Sequence, residues 1–213
     1  MTIIRKIEKK CAVCGQTSLQ PALMSTNTWG YPDLDLRPSE MHRSTMSVWL
    51  EECPDCGYVA GNLENKLEVT DDLLKTDEYL ACEGHNFKSD LSKRFYRHYL
   101  ISKAEKDYGS EFLSLLHCAW TCDDNEDKLA LEMRKMALKP LDKIVPESDG
   151  ERINLLIMKA DLLRRTLQFD RVVSEFKDLI LDDKLQNDVI TFQIELAMKK
   201  DSNCHTVEEV AEK

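Results

Sequence analysis

Apolar residues recur at helical spacing over the later two thirds of the chain, in stripes separated by short polar joints nearly free of glycine. Thr70, Asp71 and Asp72 read as a helix start, where a hydroxyl and carboxylates meet free backbone N–H groups, and Gly84 reads as its end. A second helix is predicted to open at Ser89 or Asp90, carry Leu91, Phe95 and Tyr99 on one face, and stop at Gly109. Phe112, Leu115, Leu116 and Ala119 give the next stripe. Asn125 is a candidate cap for a fourth helix bearing Leu129, Met133, Met136 and Ala137, which Pro140 should end or kink before Ile144. Ser148 or Asp149 caps a fifth, with Ile153, Leu156, Ile157, Ala160 and Leu167 inward. After a short joint, Val172, Val173, Phe176, Leu179 and Ile180 form a sixth, antiparallel to it. A last helix over residues 188–199, with Ile190, Ile194 and Ala197 on one side, suits a lid, and the chain after Ser202 should fray.

The first third has a different grammar. Pro21, Gly30, Pro32, Pro38, Pro54 and Gly57 punctuate it, and residues 47–50 are β-prone, so it reads as loop and strand with a boundary between residues 63 and 70. The fold class is therefore α+β: a small N-terminal unit of short antiparallel strands over residues 1–66, a mainly helical domain over 67–200, and a flexible tail over 201–213.

Cysteine placement gives the N-terminal unit its chemistry. Cys11 and Cys14 form a C-x2-C pair followed by Gly15, and Cys53 and Cys56 form another followed by Gly57. Two intervening residues let both sulfurs of one turn face the same ion, and the glycine permits the positive φ that turns backbone N–H groups toward thiolates. The segment between the pairs, residues 15–52, is long, but closure entropy grows only with the logarithm of loop length. Four thiolates leave no open position for water or substrate, so the expectation is one structural Zn2+, preferred over iron on availability and loop length. Such an ion contributes on the order of 10–16 kcal/mol to small zinc peptides. The other cysteines read more simply. Cys118 and Cys122 share a predicted helix with His117 and suit core packing, while Cys82 with His85 offers an alternative ligand pair that a complete four-cysteine site does not need. Cys204 and His205 fall in the expected tail.

Hydrophobic residues make up 42% of the chain and charged residues 32%, the balance of a folded soluble protein. The first ten residues hold no uninterrupted apolar stretch, and no segment reaches membrane-spanning length, so a cytoplasmic location and no membrane partner are expected. In that compartment eight cysteines favour metal over disulfides. A formal net charge of −10 disfavours nonspecific nucleic-acid binding, with a local exception where Arg5, Lys6, Lys9 and Lys10 adjoin the first cysteine pair.

Between the knuckles lie Trp29, Tyr31, Asp33, Asp35, Arg37, His42 and Arg43, which can form a recognition surface. Asp35 and Arg37 also suit local loop-fixing hydrogen bonds, and Trp29 and Trp49 suit packing of the ribbon on the first helices. The pair C-x2-C-G, the run Asp35-Leu36-Arg37-Pro38, Trp49, and Cys53-Pro54-Asp55-Cys56-Gly57-Tyr58 followed by helices resemble the bacterial family catalogued as domain of unknown function 2225. That resemblance, most specific at the second knuckle, implies a zinc ribbon fused to tetratricopeptide-like helices and implies no activity. Ala160, Phe169, Val172, Phe176 and Leu179 stand near the spacing such a repeat uses, but Phe112–Trp120 does not echo them at the usual period of about 34 residues.

Three functional readings follow. The first is a binding or scaffolding module whose helices offer a groove to a protein or peptide. The second is a nucleic-acid-associated ribbon using Arg5, Lys6, Lys9, Lys10 and Arg43. The third is an enzyme with Asp35, Arg37 and His42 at its centre, although no nucleophile or phosphate-cradling loop accompanies them.

Overall fold

In a computed structural model that describes residues 1–66 and 70–211, the chain begins with a long two-stranded ribbon. Strands β1 (Ile3–Lys10) and β2 (Thr17–Ser25) pair antiparallel, Lys10 opposite Thr17 and Ile3 opposite Ser25, with a register irregularity between Ile3 and Ile4. β1 meets solvent along nearly its whole length, which is why its residues show no clean alternation of apolar and polar side chains. The buried side chain of Gln20 ties β2 to the next sheet: its amide donates to Glu52 O at 3.0 Å and its carbonyl accepts from Glu52 N at 3.4 Å. A side-chain amide thus stands in for a neighbouring strand.

Residues 47–50, expected to be extended, instead close a 3-10 turn over Arg43–Val48. Thr45 holds that turn, donating to His42 O at 2.7 Å and accepting from Trp49 Nε1 at 2.8 Å. Two short strands follow, β3 (Glu51–Glu52) and β4 (Val59–Ala60), paired with each other.

The helical part opens with two single turns, α1 (Thr70–Leu73) and α2 (Asp77–Leu80), where one helix up to Gly84 was expected. Thr76 separates them, because its extended backbone and its hydroxyl, which accepts from Tyr79 N, make it a fresh N-cap. The expected caps at Thr70 and Asp71 and the boundary at residues 67–69 lie outside the described residues and side chains. Next come α3 (Asp90–Glu105), α4 (Tyr108–Asp124), α5 (Leu129–Leu141) and α6 (Asp149–Arg165). Ser89 and Ser148 cap α3 and α6 through their hydroxyls, as their positions imply. Gly109 does not end α3. Lys106 takes the left-handed cap at φ 59, and Asp107 at once accepts Ser110 N to start α4, so the joint closes before the glycine. Likewise Asn125 closes α4, and it is Asp127 that receives Leu129 N at the head of α5. Pro140 sits in the last turn of α5, one residue before its end.

The chain continues through α7 (Phe169–Phe176), α8 (Lys184–Met198) and α9 (Glu208–Ala211). α7 stops before Leu179 and Ile180, and Ile180 is exposed, so the sixth stripe is shorter than its pattern suggested. α8 packs against both α6 and α7, as a lid would. Residues 202–211, expected in a frayed tail, are ordered: Thr206 bridges Asp33, Leu34 N donates to His205 O, Val207 N donates to Pro32 O, and Val207 and Val210 are buried. The buried apolar residues form one continuous cluster running from Cys11 and Cys53 to Val210. No helix among the described residues is long and apolar enough to cross a membrane.

Candidate metal centre

Each C-x2-C pair occupies the turn of a hairpin, Cys11 and Cys14 between β1 and β2, Cys53 and Cys56 between β3 and β4. The two turns are built alike. Gly15 N donates to Cys11 O and Gly57 N to Cys53 O, both at 2.9 Å, with φ of 78° and 73° at the glycines. Cys11 N reaches Gln16 O and Cys53 N reaches Tyr58 O, both at 2.8 Å, which closes the base of each turn. A Cβ at either glycine would be strained by that φ alone.

The four sulfurs lie within 4.8 Å of one another, with Cys11 Sγ to Cys56 Sγ at 3.7 Å and Cys14 Sγ to Cys53 Sγ at 3.6 Å. Thiolates each about 2.3 Å from a tetrahedral ion sit about 3.8 Å apart, so the arrangement fits such an ion; a disulfide needs about 2 Å. The four cysteines therefore form a site able to hold a metal ion, as their spacing predicts. Cys11 and Cys53 are buried and Cys14 is exposed, which places the site at the rim of the fold.

The second knuckle is wired into the helices. Tyr79 Oη of α2 donates to Gly57 O at 2.8 Å, and Tyr58 Oη donates to Asn65 O at 2.6 Å. Arg94 and Arg97 of α3 bind the two oxygens of Glu52, next to Cys53, at 3.1 and 2.8 Å. The first knuckle joins through Ala12 N to Leu63 O at 2.9 Å.

The inter-knuckle residues separate into two sets. Trp29 and Tyr31 face outward, Trp29 being 69% exposed, so Trp29 does not pack on the helices. His42 rests its ring 5.4 Å from Trp49, and Trp49 packs edge-on to His117 of α4 at 5.0 Å. Asp33, Asp35, Arg37 and Arg43 turn inward. Arg43 is held by Asp33 at 2.6 Å and by Pro38 O at 2.8 Å. Asp35, 1% exposed, accepts Arg37 N on one oxygen and Trp120 Nε1 at 2.7 Å on the other, so the local loop bond exists within a larger network. Arg165 and Arg134 approach the same carboxylate at 3.6 and 4.0 Å, Arg37 binds Asp124, and Arg134 and Arg165 share Asp123. Burial pushes the Asp35 carboxyl up, to about 6, with Asp161 adding to burial and Arg134, Arg165 and Trp120 holding it down.

The partners on α4, α5 and α6 carried no signal in the sequence, nor did Arg164. This arginine, fully buried, donates to Asp161, Gln193 and the carbonyls of Asp201 and Asn203. Cys118 and Cys122 are buried core residues, as expected from their helix. Cys82 is buried too, and His85 stacks on Phe87. Comparison with protein-family models, with curated proteins and with solved structures gives no match.

Proposed function

We propose that the chain is an interaction module organised by one structural zinc ion, which pairs an extended segment of a partner protein with the outer edge of β1. The observation that carries this reading is the state of that strand. β1 has no second strand partner among the described residues, its side chains are exposed, and Ile3, Ile4, Ile7, Leu19 and Met24 leave the ribbon with an apolar surface. A free edge of this length is a template for another strand. Arg5, Lys6 and Lys10 make no ion pair among the described residues, so the partner that fits sets acidic residues against them and apolar residues against Ile3, Ile4 and Ile7.

A peptide groove on the inner face of the helices has less support, because Asp35 and Arg37 occupy that face. The same burial removes the anchor of an enzymatic reading at Asp35, Arg37 and His42. A nucleic-acid role is the second reading. It keeps Arg5, Lys6 and Lys10, but Lys9 is engaged by Asn62 and Glu64, and Arg43 by Asp33. Zinc suits the four thiolates, a tetratricopeptide-like arrangement is supported over α6–α8, where α8 packs on both preceding helices, and membership of the resembled family together with a cytoplasmic location belongs to this proposal.

Selection of displayed linear peptides on the zinc-loaded protein tests the reading. Enriched peptides should combine acidic and apolar residues, protect β1 amides from hydrogen exchange, and be lost on combining Lys6→Glu with Lys10→Glu. Failure to enrich any peptide, together with salt-dependent binding of single-stranded RNA or DNA lost in the same variant, decides for the second reading.

A further inference from the structure

Far from the ribbon, four lysines converge on one cavity. It measures ≈ 410 Å³ and opens where the end of α3, the joint into α4 and the end of α5 meet. Lys103, Lys106, Lys139 and Lys143 line it together with Tyr99 and Tyr108. None of these four lysines forms an ion pair among the described residues, a state that most lysines of the chain share, so it is their convergence on one cavity that sets them apart. Glu111 is the one carboxylate in the lining. Lys103 and Lys139 stand in the last turns of α3 and α5, where a cation complements the helix dipole. That accounts for their place in sequence, but not for the convergence with Lys106 and Lys143.

In place of carboxylates, two of the ammonium groups lie over aromatic faces. Lys103 Nζ is 5.6 Å from the centre of the Tyr99 ring, and Lys143 Nζ is 4.8 Å from that of Tyr108. These contacts hold the lysines at the rim without neutralising them. We infer that this cavity binds a small ligand bearing two or more phosphate groups. Four cations around one cavity need several negative charges to balance them. Lysines act as point charges that suit phosphate oxygens, and a phosphate group carries more negative charge than a carboxylate, so two of them balance this lining with a small ligand. The cavity has the volume of a small-molecule site, and the tyrosine rings give the rest of the ligand an apolar surface.

Calorimetric titration of the zinc-loaded full chain with inorganic pyrophosphate, at salt of about 0.15 M, tests the inference. Saturable one-to-one binding is expected, weakening as salt rises and exceeding that of citrate, which has comparable charge without phosphate. Combining Lys103→Gln, Lys139→Gln and Lys143→Gln should lower affinity at least tenfold, while Lys6→Gln with Lys10→Gln on the ribbon leaves it unchanged. If the triple variant loses thermal stability, Lys106→Gln, at an exposed joint, replaces it with an expected loss of threefold or more. No saturable binding at millimolar pyrophosphate, equal affinity for citrate, or equal loss in the ribbon variant overturns the assignment. None of these readouts depends on peptide binding by β1.

Discussion

His117 shows how one side chain can set the acid limit of this fold. Its imidazole sits among Trp49, Phe95 and Trp120, with ring centres 5.0, 5.3 and 4.8 Å away. Burial disfavours the cation, with His98 and Arg37 adding repulsion, and its pKa is pushed down to about 3. Because the folded value lies below the ordinary one of 6.5, the unfolded chain binds the proton first as pH falls. The contribution to stability is whole above the ordinary value and is lost progressively on acidification toward the folded one. His117→Phe keeps a ring in the cage and removes the proton. Between pH 7 and pH 4.5 the variant should lose about 2 kcal/mol less unfolding free energy than the parent, allowing for partial solvent contact of the imidazole. Urea titrations at the two pH values measure the difference, and equal losses would show the ring to be protonated in the native state. Asp35 belongs to the same scale with the opposite lesson. Its type and place in the loop suit a ligand contact, yet its two oxygens are taken by Arg37 N and Trp120 Nε1 inside the fold.

Elements whose ends are written in adjacent residues were legible in the sequence, and elements held by distant partners were not. Ser89 and Ser148 cap the helices they precede, and the cysteine pairs make the turns their glycines announce, because hydroxyl, thiolate and φ all act within a few residues. Lys106 takes a left-handed cap that its residue type does not advertise, so Gly109 misled the reading of α3. The C-terminal segment is the larger case. Thr206 N donating to Glu209 is a local bond that starts α9, but what docks residues 201–211 is distant: Asp201 and Asn203 offer their carbonyls to Arg164 at 3.0 and 2.7 Å, and residues 205–207 pair with 32–34. The segment straps the inter-knuckle loop to the end of α6. Removing everything after Lys200 leaves the buried Arg164 guanidinium short of two acceptors and strips the cover from Leu34, itself 0% exposed. A buried charged donor left without partners costs several kcal/mol, so the truncated protein should unfold at least about 3 kcal/mol more easily. Equilibrium denaturation checks this, and a loss under about 1 kcal/mol would mean that water replaces the strap.

Across the whole molecule the metal site and the helices are cross-linked at several independent points. The second knuckle is held by Tyr79 of α2 and, through Glu52, by Arg94 and Arg97 of α3. The loop leaving the first knuckle returns to the second only after placing Asp35 and Arg37 against α4. A boundary drawn from composition alone, between a ribbon and a helical domain, does not capture this coupling, because charge pairs such as Arg37 with Asp124 join residues remote in sequence. If the four thiolates hold zinc, removing it releases both knuckles, and with them the loop that fills the inner face of α4–α6. Chelation should therefore lower helix content and the tryptophan near-ultraviolet signal together, in one transition, and Cys53→Ser should do so without chelator. Two independent units would behave otherwise: the tryptophan signal would fall first and the helices would melt at their former temperature. Trp49 and Trp120 report this well, since one packs beside the second knuckle and on α4 while the other is the donor that holds Asp35. Separate transitions by circular dichroism and tryptophan signal would show that the helices hold without the loop that the metal fixes.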